Sequence, residues 1–325
     1  MTLKFIDFCA GIGAGRFGLE QNNLECVGFS EINKLAEKTY KILFGENEEN
    51  YGDLMLINPH SLPDFDMLIC QTFSIAGKRE GMQDDRGKII YGLINILKSK
   101  KVKYFILENV KGLLNHNNGQ SLNTILTELK NAGYKVFYKL LDSNNYGIPQ
   151  MRERVYFIGF HQDTINHNFS YTFPEKITEP LSIESFLIDT IDNNIEQDSK
   201  IYATFLKYLS NKYNLGKHDI HSIKQKEYLV LDTRQSDLRL YNNKIPTLRA
   251  GRHGILYIKN SMIRKLTGFE ALLLQGFTKN MAIRASLDME NTNLLAQAGN
   301  AMTVNVIQQL SKSMIESLNN NKQYQ

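Results

Sequence analysis

Leu3-Lys4-Phe5-Ile6-Asp7-Phe8-Cys9-Ala10-Gly11-Ile12-Gly13-Ala14-Gly15-Arg16-Phe17-Gly18-Leu19 reads as a strand, a glycine-rich turn and a helix in direct succession. The apolar run Leu3 to Phe8 predicts a buried strand, and the glycines let the backbone turn sharply and approach a ligand without Cβ interference. Counted from Gly11, a G-x-G-x-x-G fingerprint fails, because its third glycine would fall at Arg16. Counted from Gly13 it is met by Gly15 and Gly18, but that register begins well past the strand end. The turn therefore suits a nucleoside better than a pyrophosphate. The next strand, Cys26 to Ser30, ends at Glu31, and an acid about 20 residues beyond such a turn is placed to accept hydrogen bonds from both ribose hydroxyls. The competing reading makes Glu31 only a servant of the helix dipole in an N-cap region, Ser30-Glu31-Ile32-Asn33. The coincidence of turn and spacing favours the ribose.

Outward from this unit, strands and helices alternate, as in an open α/β sheet. Met67, Leu68 and Ile69 predict a buried strand that delivers Cys70 to its carboxyl end, where such sheets build their sites. Cys70 is either a thiolate nucleophile or a packed core residue. The charged loop Gly77 to Lys88 offers Gly77, Gly81 and Gly87 as hinges and Lys78, Arg79, Arg86 and Lys88 to phosphates, against the alternative of a solvated surface. Ile89 to Leu97 is helical in period, and the strand Tyr104 to Leu107 ends at Glu108-Asn109-Val110. An acid there beside a cysteine on another strand would meet it over one substrate; the alternative is a helix cap. A helix from Ser121 to Ala132 and a strand from Lys135 to Leu141 lead to Gln150, Arg152 and Arg154, which are predicted to share one strand face that reads a base or a phosphate.

Composition shifts near residue 180, with Asp189 to Lys200 lacking any period. Two domains are expected, one of residues 1–181 plus 285–325 and one of 182–284. Within the second, Lys244 to Lys259 mixes basic side chains and glycines, including Thr247, Arg249 and Arg252, as a groove-reading loop would. Thr267-x-x-Glu270 is a capping box, and Gly299-Asn300-Ala301 leads into an amphipathic helix through Val306, Ile307, Leu310, Met314 and Leu318. With 42% hydrophobic and 22% charged residues, and no apolar run of membrane-spanning length, the 325 residues read as a globular protein. The N-terminus leaves no room for a signal peptide, so the cytoplasm is the expected location. Cys9, Cys26 and Cys70 lack metal-type spacing, so neither a zinc site nor a disulfide framework is expected. A net charge of +4 permits a nucleic-acid partner without requiring one.

Taken in order, Asp7-x-x-Ala10-Gly11-Ile12-Gly13, Glu31, Gly52-Asp53, Gln71-x-Phe73-Ser74, Arg86-Gly87, Glu108-Asn109-Val110, Gln150-x-Arg152-x-Arg154, Thr247-Leu248, the Arg264 to Phe277 segment and Gly299-Asn300-Ala301 resemble the DNA cytosine-5 methyltransferase family, the bacterial modification enzymes of restriction systems. The resemblance runs from Phe5 to about Val306. It implies a Rossmann-like α/β domain that uses S-adenosylmethionine, with a smaller target-recognition domain. It places Glu31 on the ribose, Ile32 on adenine, Asp53 at the adenine edge and Asn300 close by, with Cys9, Gly11 and Gly13 forming the turn. Cys70, Glu108, Arg152 and Arg154 become the catalytic set. Gln71, Ser74, Lys78, Arg86, Gln150, Thr247, Arg249 and Arg252 become the DNA contacts. In the implied reaction a thiolate adds to C6 of a cytosine, C5 takes the methyl, and Glu108 and Arg154 hold N3 and the carbonyl. The base must leave the duplex, at a cost of about a few kcal/mol. Double-stranded DNA is the implied partner of a monomer, with a cognate restriction endonuclease in the same system and no direct contact between them. A catalytically silent relative and a tRNA-modifying relative are the alternatives.

Two departures stand out. Cys9 occupies a position where the family usually has phenylalanine, and Phe8 should point the other way along its strand. Where the family carries Gly-Phe-Pro-Cys-Gln or Gly-Pro-Pro-Cys-Gln, this chain has Leu68-Ile69-Cys70-Gln71, about four residues short and without the proline. Cys70 is then either the nucleophile itself or the residue that precedes a lost Gly-Phe-Pro-Cys.

Overall fold

In the computed structural model, the described residues are 2–71, 85–177, 181–191, 193–214, 216–234 and 237–322. They form two compact units, one of Met1–Asp142, Glu153–Lys176 and Ala301–Gln325, the other of Ser143–Arg152 and Ile177–Asn300. The expected second domain, 182–284, is thus too short. Residues 143–152 and 285–300 pack with the second unit, because their side chains and carbonyls are bonded there, as Gln150 is to Leu274 and Gln275 to Ala298.

The first unit opens with β1 (Lys4–Phe8), α1 (Ala14–Glu20), β2 (Glu25–Ser30), α2 (Lys34–Phe44), β3 (Met67–Gln71), α3 (Asp85–Lys100), β4 (Tyr104–Val110), α4 (Gln120–Asn131) and β5 (Tyr134–Asp142). After β6 (Gln150–Met151), which belongs to the second unit, β7 (Glu153–His161) returns to the first, and a helix at Val304–Lys322 closes it. The sheet order is β2-β1-β3-β4-β7-β5. The first four strands run parallel, and β7 lies antiparallel between β4 and β5. This is the expected doubly wound α/β arrangement, with one reversed strand near its edge.

Strands buried on both faces need apolar residues at every position, which is why these read as continuous hydrophobic runs. On one face Phe8, Leu68, Phe105 and Phe157 pack with Leu93 and Leu97 of α3 and Ile125 and Leu129 of α4. On the other lies α1, whose small residues let it approach closely. A Cβ on Gly15 would stand 3.1 Å from Ile69 Cδ1, and one on Gly18 would stand 2.6 Å from Ile307 Cβ of the closing helix.

The second unit contains α5 (Lys200–Leu209), α6 (Ile220–Lys224), β8 (Val230–Asp232), β9 (Arg239–Tyr241), β10 (Ile245–Pro246), β11 (Ile255–Lys259), β12 (Met262–Lys265), α7 (Gly268–Leu273), α8 (Lys279–Asp288) and α9 (Asn291–Asn300). Its antiparallel sheet has the order β12-β11-β8-β9, and Phe205 and Ile223 pack with Leu231, Leu256 and Ile258. The Thr267/Glu270 capping box forms as the sequence expects. Among the described residues no helix is long and apolar enough to cross a membrane.

Gly159 of β7 pairs with Phe105, and a Cβ there would stand 2.0 Å from the Phe105 ring. Gly159→Ala should therefore lower unfolding stability by about 1–3 kcal/mol through overpacking, read as a lower urea midpoint with an unchanged far-ultraviolet spectrum.

Candidate active site

The glycine turn leaves β1 through Cys9, which adopts a left-handed φ of 50°. Ala10 N–H donates to the Ser30 carbonyl at 3.0 Å, and Gly13 N–H donates to the Ala10 carbonyl at 2.9 Å. Gly13 has φ 81°, and a Cβ would stand 2.3 Å from the Phe44 ring, so conformation and space both demand glycine. Beyond the turn, Arg16 N–H donates to Asp7 Oδ2 at 3.1 Å, which ties the start of α1 to β1.

Glu31 leaves the carboxyl end of β2 and faces this turn. Its Oε2 accepts from Gly11 N–H at 2.8 Å and its Oε1 from Asn33 N–H at 2.7 Å. The helix cap itself is Asn33, whose side chain accepts from Leu35 and Ala36 N–H. A carboxylate oxygen has two acceptor lone pairs, so each oxygen of Glu31 keeps one direction for a ligand hydroxyl. Ile32 beside it is 66% exposed, an apolar surface on which a purine ring can lie. Asp53 is exposed and caps the following turn, its Oδ1 accepting from Met55 N–H at 2.9 Å.

Glu108 and Arg154 come together where β4 and β7 meet, with Arg154 Nε 2.8 Å from Glu108 Oε1. Glu108 is almost fully enclosed and Arg154 largely so. Gln71, half-buried, pairs in register with Glu108.

Cys70 does not join them. In register it pairs with Phe8 on one side and Leu107 on the other, and it is 0% exposed within the core under α3 and α4. Because side chains alternate along a strand, Cys70 and Leu107 share one face while Gln71 and Glu108 share the opposite one. Burial pushes the Cys70 thiol well above its ordinary range, and the adjoining Cys9 thiol pushes it further. The acid and the thiol expected over one substrate thus stand one residue out of step, on opposite faces of the sheet. Phe8 points into the same core, as expected.

Gln150, Arg152 and Arg154 likewise do not share a strand face. The strand breaks at Arg152, and Gln150 lies in β6, which pairs with β10. The Gln150 amide is spent internally: Nε2 donates to the Leu274 carbonyl at 2.7 Å and Oε1 accepts from Leu248 N–H at 3.0 Å. The buried Arg152 guanidinium donates to the Leu248 carbonyl at 3.1 Å and to the Gly299 carbonyl at 3.2 Å. Both side chains clamp backbone within the second unit.

Thr247 Oγ1 donates to the Met151 carbonyl at 2.5 Å, whereas Arg249 and Arg252 are exposed. Sequence reading missed the support of this loop. Asp232 and Arg234 form a buried ion pair at 2.8 Å, and Arg234 Nη1 donates to the Thr247 carbonyl at 2.7 Å. Two residues apart at a strand end, they match no helical pair spacing that would flag them. Asn300 is exposed at the end of α9. Arg86 lies in the first turn of α3, with its side chain outside the described residues, as are Ser74 and Lys78 entirely.

The family model for C-5 cytosine-specific DNA methylase matches residues 3–316. The chain belongs to this family. Among its relatives, Type II methyltransferase M1.ScrFI of Lactococcus lactis subsp. cremoris is 33% identical over 98% of this chain and 79% of its own length. Type II methyltransferase M.HaeII of Haemophilus aegyptius is 34% identical over 97% of this chain and 94% of its own length. Type II methyltransferase M.HhaI of Haemophilus parahaemolyticus is 31% identical over 98% of this chain and 95% of its own length. Two solved structures share the fold: the Entamoeba histolytica methyltransferase EhMeth (TM-score 0.73, 17% identity, 98% of this chain and 99% of that one) and the S. pombe Dnmt2 methyltransferase (TM-score 0.68, 17% identity, 98% and 99%). The protein is accordingly a DNA cytosine-5 methyltransferase by family.

Two outcomes follow from the geometry. Arg152→Met, which orphans two buried carbonyls, should cost about 1–3 kcal/mol of unfolding stability; a DNA contact would instead lose DNA affinity at unchanged stability, and urea denaturation beside a DNA-binding titration separates the two. Asp7 is fully buried, and burial holds its carboxyl well above the usual range although the Arg16 N–H opposes this. The folded state then keeps a proton that the unfolded chain releases near pH about 4, so stability falls as pH rises through and above that value. Asp7→Asn keeps an acceptor for Arg16 and should flatten this fall, measured by urea unfolding at pH 5 and pH 8.

Proposed function

We propose that the protein transfers a methyl group from S-adenosylmethionine to C5 of a cytosine turned out of double-stranded DNA. The first unit serves as the catalytic and cofactor-binding domain and the second as the target-recognition domain. The observation that carries this reading is the enclosed Glu108–Arg154 pair at the carboxyl end of β4. A carboxyl group beside a guanidinium matches the pyrimidine edge, with Glu108 at N3 and Arg154 at the adjoining carbonyl.

The residues of the glycine turn fit the nucleoside half of the cofactor. Glu31 retains an acceptor direction on each oxygen for the ribose hydroxyls. Ile32 supplies the exposed apolar surface for adenine, and Asp53 is open to its edge. Cys9, Gly11 and Gly13 shape the turn. Bound there, S-adenosylmethionine supplies a methyl group on a sulfonium. Glu108 and Arg154 hold the base and stabilise the charge that builds on its ring when a thiolate adds to C6. Cys70 is the thiol assigned to that addition. Arg249 and Arg252, with Gln71, Ser74, Lys78 and Arg86, serve the DNA. A cytoplasmic monomer, working beside a cognate endonuclease without touching it, completes the reading.

A second reading is favoured by the burial of Cys70 on the sheet face away from Glu108. There the chain binds cofactor and DNA without turnover, Cys70 being the core residue that precedes the missing nucleophile.

Labelled methyl groups from S-adenosylmethionine should appear in unmethylated duplex DNA, and Glu108→Gln should reduce that rate by about 10²-fold or more. Label in tRNA with none in DNA would overturn the DNA assignment. Duplex DNA containing 5-fluorocytosine decides between the two readings. A covalent adduct that Cys70→Ala abolishes makes Cys70 the nucleophile, whereas tight binding of DNA and cofactor without an adduct establishes the silent binder.

A further inference from the structure

The acids that read the nucleoside, Glu31 and Asp53, come from different segments, and nothing in β2 or α2 by itself sets their separation. The Asn50 side chain makes three of the bonds that join the two segments. Asn50 lies beside β2, bridged to Phe29, with Phe29 N–H donating to the Glu49 carbonyl at 2.9 Å and Tyr51 N–H donating to the Phe29 carbonyl at 2.8 Å. From there Asn50 Oδ1 accepts from Glu31 N–H at 3.0 Å and from Gly52 N–H at 2.9 Å, while Nδ2 donates to the Glu31 carbonyl at 3.0 Å. The same amide also reaches the Glu37 carboxylate on the first turn of α2.

We infer that Asn50 is the positioning residue that fixes the ribose-reading Glu31 and the adenine-reading Asp53 as one rigid nucleoside receptor. This rests on the S-adenosylmethionine reading above. A primary amide has two acceptor lone pairs and two donor hydrogens, and all four directions are used here. The bonds hold both backbone polar groups of Glu31 and the peptide N–H immediately before Asp53. Gly52 adopts φ 71°, a left-handed turn suited to glycine, and its carbonyl accepts from Ser30 Oγ at 2.7 Å. Asp53 therefore leaves a turn tied at both its N–H and its carbonyl to the end of β2. Asn50 makes no contact of its own with the ligand in this scheme. Its contribution is preorganisation, since a receptor whose two acids wander independently spends binding energy on ordering them.

The test measures the S-adenosylmethionine dissociation constant of the full chain by calorimetry, with duplex-DNA affinity and thermal midpoint followed in parallel. Asn50→Ala should weaken cofactor binding about tenfold while DNA affinity and midpoint hold. Asn50→Ser keeps a side-chain oxygen that can accept from Gly52 N–H and adds no charge beside Glu37, so it should recover part of that loss. Cofactor binding by Asn50→Ala within about twofold of the parent would overturn the inference. Parallel loss of cofactor affinity, DNA affinity and midpoint would also overturn it, because that pattern belongs to a general stabilising role. A parent chain that binds no S-adenosylmethionine would instead sink the functional reading itself.

Discussion

A strand in a parallel sheet presents each side chain to one of two faces, and neighbours in the chain cannot share one. That constraint organises the first unit. Phe8, Cys70 and Leu107 fall together into the core beneath α3 and α4, while Asp7, Ile69 and Glu108 fall on the face that carries α1. The acid of the proposed base pocket and the helix that follows the glycine turn thereby lie on one side of the sheet. The same rule removes Cys70 from that side, since one step of the pleat separates it from Gln71 and Glu108.

Polar side chains in the second unit work mainly on backbone. Arg152 gathers the carbonyls of Leu248 and Gly299, Gln150 joins Leu248 to Leu274, and Gln275 Nε2 donates to the Ala298 carbonyl at 2.6 Å. Glu270, fully buried, accepts from the Tyr257 hydroxyl at 2.8 Å while closing its capping box. Buried polar groups are tolerated when each finds a partner, and here the partners include carbonyls at the C-terminal ends of α7 and α9, where the helical ladder runs out. Basic residues in a nucleic-acid enzyme are thus divided between two tasks. Arg249 and Arg252 remain exposed, and Arg234 holds the backbone from which they project.

The local backbone of the candidate site was legible in the linear chain. The turn at Gly11 and Gly13, with Glu31 behind it, was readable because both depend on local backbone conformation and on a spacing set by one β-α-β unit. The Thr267/Glu270 cap was readable for the same reason, as a bond spanning a single helical turn. The alternation of Gln150, Arg152 and Arg154 was readable as a pattern and misleading as a place. A period of two names residues that would share a face if the strand continued, and the strand breaks at Arg152. Asn50 and Arg234 carried no signal, since the bonds by which they join separate segments end on backbone groups, which every residue possesses.

By itself, then, the sequence determined the order of the parallel strands in the first unit, the need for glycine at the first turn, the capping of α7 and the family to which the motifs belong. Each of these rests on local sterics or on residue type at a set spacing. Only the tertiary structure decided that Cys70 faces the core, that Arg152 serves carbonyls and Arg154 serves Glu108, and that residues 285–300 pack with the second unit. Those outcomes depend on which face a register exposes and on which distant backbone groups need a partner, and both are settled only when the strands pair.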